Sequence, residues 1–138
     1  MTIDIRPPSP QEWPQLVRHS AEIAVGNDRD LAWFQARQHL VVTEDGVVVG
    51  HTSWTPCDGY VLWDETYVAP THRKLGLGRR LMEARADRTP GLVFGACKPE
   101  NEPMVHLLLS LGFHECQAIP HAYPDGGDAL LWARPHPF

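Results

Sequence analysis

Cysteine is scarce. The 138 residues contain three, Cys57, Cys97 and Cys116, and no C-x-x-C pair. An odd, widely spaced set argues against a disulfide framework and fits a reducing cytoplasm. Long apolar runs are missing too: no stretch approaches the ~20 residues needed to cross a bilayer. The opening Met1-Thr2-Ile3-Asp4-Ile5-Arg6 lacks the apolar region of a signal peptide. Positive charge is in deficit, with 12 Lys+Arg against 17 Asp+Glu and a net charge of −5. Such a surface has no general attraction for nucleic acid or an anionic membrane, and neither is expected as a partner. It tolerates a cationic substrate such as an amine. The eight histidines include no H-x-x-x-H pair, so they read as scattered surface and core residues and no metal site is expected. Internal repeats, low-complexity runs and long linkers are absent. What is present is an apolar fraction of 43%, enough for a packed core in a single domain spanning residues 1–138.

The local patterns predict a short strand over Ile3 to Arg6, then a capping box at Ser9-Pro10-Gln11-Glu12. A helix follows, with Trp13, Leu16, Val17, Ser20 and Ala24 at helical spacing. Pro14 weakens its first turn. After a turn at Gly26-Asn27-Asp28, a second short helix covers Leu31 to Gln38. His39 to Thr43 and Val47 to Ser53, joined by Glu44-Asp45-Gly46, read as an antiparallel hairpin. Tyr60 to Val68 reads as a long central strand, Gly76 to Arg88 as a helix, and Leu92 to Cys97 as a buried strand. Asn101 to Leu111 is a helix stopped by Gly112, and Phe113 to Ile119 and Ala129 to Arg134 are the last strands. The order β-α-α-β-β-β-α-β-α-β-β predicts an α/β fold with one mixed, mostly antiparallel sheet of about 6–7 strands and helices on both faces.

The most informative segment runs from Tyr67 to Leu81, where a central strand ends, a glycine turn follows, and a helix begins. The first N–H groups of a helix lack internal partners, and the helix dipole adds positive charge there. Gly76 and Gly78 let a ligand approach the backbone without a Cβ in the way. Arg73, Lys74, Arg79 and Arg80 surround the turn with positive charge. Together these features suit a phosphate. The dinucleotide fingerprint G-x-G-x-x-G is not met, because Leu81 stands at the third glycine. A Walker A loop is excluded because no Gly-Lys-Ser/Thr follows.

Val68-Ala69-Pro70 followed by Arg73-x-x-Gly76-x-Gly78 resembles the signature R/Q-x-x-G-x-G/A of the GNAT superfamily of acyl-CoA-dependent N-acetyltransferases. The second half agrees. Asn101-x-x-Met104-x-x-Leu107-Leu108-x-x-x-Gly112-Phe113 is similar to the family's N-x-x-A-x-x-L-Y-x-x-x-G-F. The motif-bearing resemblance covers Tyr60 to Phe113, and the element order extends it to nearly the whole chain.

The resemblance implies that acetyl-CoA and a primary amine of a small molecule meet in one complex, where the amine attacks the thioester without an acyl-enzyme. Backbone around Tyr67 and Val68 would hold the pantetheine and polarise the thioester. Amides from Leu75 through Gly76, Leu77 and Gly78 to Arg79 would bind the pyrophosphate, aided by Arg73 and Lys74. Asn101 would face the pantetheine arm; its other role is a helix N-cap. By similarity, Asp64 is favoured as the base or water-holder and Glu65 as an acceptor-site acid. The alternative for both is an ordinary solvated or ion-paired carboxylate. Strand alternation would put the two on opposite faces. One departure stands out: Leu108 occupies the position of a tyrosine proposed to protonate the leaving thiolate. With a free thiol pKa near ~8.5, solvent can serve, or Tyr123 in the last hairpin turn takes the part; otherwise Tyr123 is a plain loop residue. Cys97 reads as a buried structural cysteine. His121, Tyr123, Trp33 and Phe34 are candidate acceptor-side residues. The resemblance also admits a homodimer, and it leaves a peptide N-acetyltransferase and a non-catalytic acyl-CoA-binding domain as alternatives.

Overall fold

The computed structural model describes residues 2–23 and 30–135. In chain order the elements are β1 (Ile3–Arg6), a 3-10 turn (Pro10–Glu12), α1 (Trp13–Ile23), α2 (Leu31–Gln35), β2 (Gln38–Glu44), β3 (Val47–Pro56) and β4 (Val61–Val68). A second 3-10 turn (Pro70–His72), α3 (Leu77–Arg88), β5 (Val93–Cys97), α4 (Glu102–Ser110), β6 (His114–Ile119) and β7 (Ala129–Arg134) follow. The order is the expected one. The expected turn at Gly26-Asn27-Asp28 lies outside the described residues. The second helix is shorter than its pattern suggested: it ends at Gln35, and Gln38 already pairs with Trp54 in the sheet.

The strands form one seven-stranded sheet in the order β1-β2-β3-β4-β5-β7-β6. Only β4 and β5 run parallel; the other neighbours are antiparallel. A parallel neighbour requires a crossover, and α3 supplies it. Alternation along β2 splits its apolar residues between two cores. Leu40 and Val42 join Leu77, Leu81 and Met82 of α3 and Leu108 of α4. Val41 faces the other way and joins Leu16 of α1, Phe34 of α2 and Val48. At five residues, α2 is far below the length at which a helix holds by itself. It is anchored by the fully buried Phe34 and by Asp30, whose side chain accepts from the Trp33 amide at 2.9 Å. Losing a buried phenylalanine costs about 3–5 kcal/mol, so Phe34→Ala would detach α2 first.

The capping box forms as expected before α1, with the Ser9 amide donating to Glu12 Oε1 at 2.8 Å. Arg6 closes on the same carboxylate with two bonds, at 2.8 and 2.9 Å. This pairing holds Glu12 down to about 2 and ties the first strand to the 3-10 turn that leads into α1.

Candidate active site

The glycine turn is built as its sequence implies. β4 ends at Val68, the 3-10 turn redirects the chain, and Lys74 (φ 64°) and Gly76 (φ 80°) sit in the left-handed region. The first helical bond of α3 runs from the Arg80 amide to the Gly76 carbonyl at 3.1 Å. The amides of Leu77, Gly78 and Arg79 therefore precede the internal ladder, the kind of helix end that suits an anion. A Cβ at Gly76 would meet nothing within 4 Å, and one at Gly78 only Val68 Cγ2 at 3.8 Å. The glycines thus leave a space that this chain's own atoms do not fill, as a pyrophosphate cradle requires. Lys74, Leu75, Arg79 and Arg80 are exposed around it. The Leu77 side chain turns into the core, so its contribution to a ligand is its backbone. Arg73 differs from the rest: its Nε donates to the Val68 carbonyl at 2.9 Å, tying the turn back to the end of β4.

Beside this turn the sheet opens. β4 and β5 pair only through Val61↔Val93 and Leu62↔Phe94. Beyond these, β4 follows β3 as far as Val68, while β5 follows β7 as far as Cys97. The two strands splay, and a small cavity of about 40 Å³ lies in the fork. Its walls are Trp63, Asp64 and Thr66 of β4 and Gly95 and Ala96 of β5, with Met82 and Arg85 of α3 and Met104 and Leu108 of α4 beneath.

The carboxylates do not sit on a regular strand. Thr52 pairs with Thr66 and Trp54 with Trp63, so Ser53 alone faces both Asp64 and Glu65. This two-against-one bulge breaks the expected alternation. Trp63 goes to the α3 side, where its Nε1 donates to Thr89 Oγ1 at 3.1 Å. Glu65, two residues on, reaches the α1 side instead. A regular strand would have put both on one face. Glu65 is buried, its side chain 5% exposed. Ser20 of α1 donates to it at 3.0 Å, and His51 Nε2 lies 3.3 Å from its other oxygen. His51 and His19 both stack near Tyr67, with centroids 5.7 and 4.6 Å from its ring. Asp64 accepts from Thr55 at 2.8 Å, with Arg37 Nε 3.6 Å away. Arg37 in turn stacks at 3.8 Å on Trp33. Asp64 thus stands in the wall of the fork, while Glu65 lies behind it under α1.

Asn101 caps α4, its Oδ1 accepting from the Met104 amide at 3.3 Å. That use leaves both side-chain N–H donors for other partners. Leu108 is buried on the apolar stripe of α4 and lines the fork. Tyr123 is half-buried in the β6–β7 turn, with Lys98 Nζ 5.4 Å over its ring. Burial, then the nearby Cys97, Asp125 and Glu100, push its hydroxyl above the ordinary tyrosine value. His121 is exposed in the same turn, its Nδ1 3.0 Å from the Gly126 carbonyl, while Trp33 and Phe34 pack against each other at 4.9 Å in α2. Cys97 is buried in the main core, as expected.

Sequence reasoning missed Arg85 and the Ser20–Glu65–His51 group. A signal for Arg85 was present: Leu77, Leu81 and Arg85 recur every four residues on the buried stripe of α3. Arg85 donates to the carbonyls of Ser53 (2.8 Å) and Glu65 (3.4 Å), both within the bulge, and its guanidinium lies 4.0 Å over Trp63. Burial pushes it down to about 9, while Asp64 pulls it back up. No such signal marked the Ser20–Glu65–His51 group, because those three come from α1, β3 and β4.

Among the described residues no helix is long and apolar enough to cross a membrane. Comparison with known proteins agrees with the geometry. Residues 6–113 match the family model described as acetyltransferase (GNAT) family. The chain is 34% identical to an L-methionine sulfoximine/L-methionine sulfone acetyltransferase of Salmonella typhimurium, over 75% of this chain and 71% of that protein. It is also 34% identical to the L-amino acid N-acyltransferase MnaT of Escherichia coli, over 70% of this chain and 64% of that protein. Its fold superposes on YncA from Salmonella typhimurium, solved with its cofactor acetyl-CoA, with a TM-score of 0.85, at 23% identity, over 100% of this chain and 96% of that one. The glycine turn, the fork beside it and these matches lead to one statement: this chain belongs to the GNAT family and is an acetyl-CoA-dependent N-acetyltransferase.

Proposed function

We propose that the chain is a single acetyltransferase domain that moves the acetyl group to the primary amine of a small molecule, with the α-amino group of an amino acid or a close analogue as the favoured acceptor. The observation that carries this reading is the fork between β4 and β5, which has an anion-binding helix end at one side and a carboxylate, Asp64, in its wall. The two relatives named above act on amino acids or their analogues, which supports the acceptor class.

Acetyl-CoA supplies the acetyl group as a thioester. The amides of Leu75, Gly76, Leu77, Gly78 and Arg79 bind its pyrophosphate, with Lys74 and Arg79 adding charge. Arg73 contributes by holding the end of β4 in place. The backbone of Tyr67 and Val68 and the side-chain amide of Asn101 hold the pantetheine arm in the fork. Asp64 takes the ammonium proton of the acceptor, directly or through a water. Glu65 backs the acceptor side as an acid held by Ser20 and His51. Tyr123 borders the same end of β5. General-base help of this kind is worth about 10²–10⁴-fold.

The test is release of coenzyme A from acetyl-CoA with a panel of free amino acids, amino acid analogues, simple amines and short peptides. The reading expects turnover with free amino acids or analogues that exceeds turnover with peptides carrying the same N-terminal residue. Turnover confined to peptides would overturn it.

A further inference from the structure

Leu108 cannot donate a proton or carry a charge, yet a charged group shares its cavity. Arg85 lines the same fork, beneath Trp63 and Asp64. It is only 3% exposed. A guanidinium has five N–H donors. The acceptors around this one are the Ser53 and Glu65 carbonyls and, at 2.8 Å, the Met82 sulfur. Sulfur is a weak acceptor, and Nε has no hydrogen-bond partner among the described residues. A buried cation with spare donors is costly unless anionic groups meet it; Asp64 in the same cavity supplies part of that charge and leaves the spare donors unused.

We propose that Arg85 is a catalytic residue whose guanidinium, held in the β4–β5 fork, stabilises the coenzyme A thiolate as it leaves. The inference rests on the acetyl-transfer reading. In the transfer, the amine nitrogen forms a bond to the thioester carbonyl carbon, and the carbon–sulfur bond breaks. Its electron pair departs on sulfur, and the ammonium proton goes to Asp64 or water. Negative charge on sulfur exists only late in this step. A fixed, buried cation therefore favours the transition state over the neutral thioester. Charge stabilisation by Arg85 replaces the proton that a tyrosine at position 108 would supply.

The proposal is tested on binding as well as rate. Coenzyme A and acetyl-CoA are titrated calorimetrically at pH 6.5 and 8.5, with wild type and with Arg85→Met and Arg85→Lys. If Arg85 favours the thiolate, the bound thiol titrates below ~8.5. Wild-type affinity for coenzyme A then rises about fivefold between the two pH values, the range for a one-unit shift. Affinity for acetyl-CoA, which has no thiol, does not share the rise. Arg85→Met loses the rise and slows turnover about 10²-fold, while Arg85→Lys keeps part of both. Leu108→Tyr added to Arg85→Met restores part of the rate, which a purely structural role for Arg85 would not allow. Parallel pH dependence for the two ligands in wild type overturns the proposal, and needs no variant to fold. A folded Arg85→Met that keeps the rise overturns it as well. Failure of wild type to bind either ligand at any pH would instead overturn the acetyl-transfer reading.

Discussion

The two sides of the fork are made of different material. The side proposed for the donor is mostly backbone: the turn from Arg73 to Gly78, the helix end behind it, and a strand pair that stops after two registers. The side proposed for the acceptor is side chains: Ser20, Arg37, His51, Asp64 and Glu65, brought from α1, the loop before β2, β3 and β4. Backbone recognition depends on φ and on the absence of a Cβ, so it leaves a short, local signature in sequence. Side-chain recognition depends on which residues meet across the fold. The donor side should therefore fail all at once when its geometry is filled, and the acceptor side should fail by degrees.

Gly78→Val is the sharpest cut through that comparison. Position 78 lies in a helix, where valine is no worse than glycine, and its Cβ has room against Val68. The domain should stay folded while the added methyls push the pyrophosphate off its amides. Losing two charge-assisted bonds, about 3–6 kcal/mol, lowers acetyl-CoA affinity by more than about 10²-fold. Calorimetric titration of the folded variant measures it, and unchanged affinity would remove the main support for the donor site. Gly76→Val is a poorer probe, because φ of 80° strains any β-branched residue.

Asp64→Asn and Glu65→Gln come next. Each should cut turnover with the true acceptor by about 10²-fold and leave affinity for coenzyme A nearly unchanged. Steady-state kinetics at saturating acetyl-CoA separates the two effects. Equal rates for both variants and wild type would place the base elsewhere.

A third expectation concerns stability on the acceptor side. Burial lowers His39 to about 4, and its Nε2 lies 2.7 Å from the Phe34 carbonyl under α2. Its folded value lies below the unfolded ~6.5, so the contribution is fully present above 6.5. It is lost as pH falls toward 4, and amounts to at most about 3 kcal/mol. Tm should therefore drop across that window, and His39→Gln should flatten the drop. An equally steep fall in the variant would reject His39 as its cause.

The smallest effect is expected from Tyr123→Phe. If Arg85 stabilises the thiolate as proposed, its departure depends little on a proton donor. The rate should climb with pH as the amine loses its proton and then level off, with the same shape in both proteins. If wild type instead shows a high-pH limb that Tyr123→Phe removes, with about a tenfold fall in rate, Tyr123 is the acid and the no-acid account fails.

Most of the architecture was legible in sequence because its cues are local. The Asp45-Gly46 turn, the Ser9–Glu12 box, the apolar stripe of α4 and the Gly112 stop each act within a few residues, and each element formed where its cue lay. Boundaries slipped where the competing influence was distant. α2 gave up Ala36, Arg37 and Gln38: the β2–β3 ladder takes Gln38 and Asp64 draws Arg37, so Ala36 becomes the cap. In the site, the glycine turn was readable for the same local reason, whereas the environment of the carboxylates was not. Their placement depends on a bulge created by pairing with β3, and no pattern within Trp63 to Tyr67 announces it.

The sequence by itself determined the element order, the glycine turn before α3 and the absence of a hydroxyl at position 108, since each is a matter of residue type and short-range conformation. Only the tertiary structure decided that Glu65 lies beneath α1 with Ser20 and His51, and that Arg85 shares a cavity with Leu108. Those facts come from strand register and from one helix packing across the splay of two strands, so the meeting residues stand 14 to 45 positions apart in the chain. Contacts at that range are set by which faces must be buried together, a condition on the whole fold that no local pattern carries.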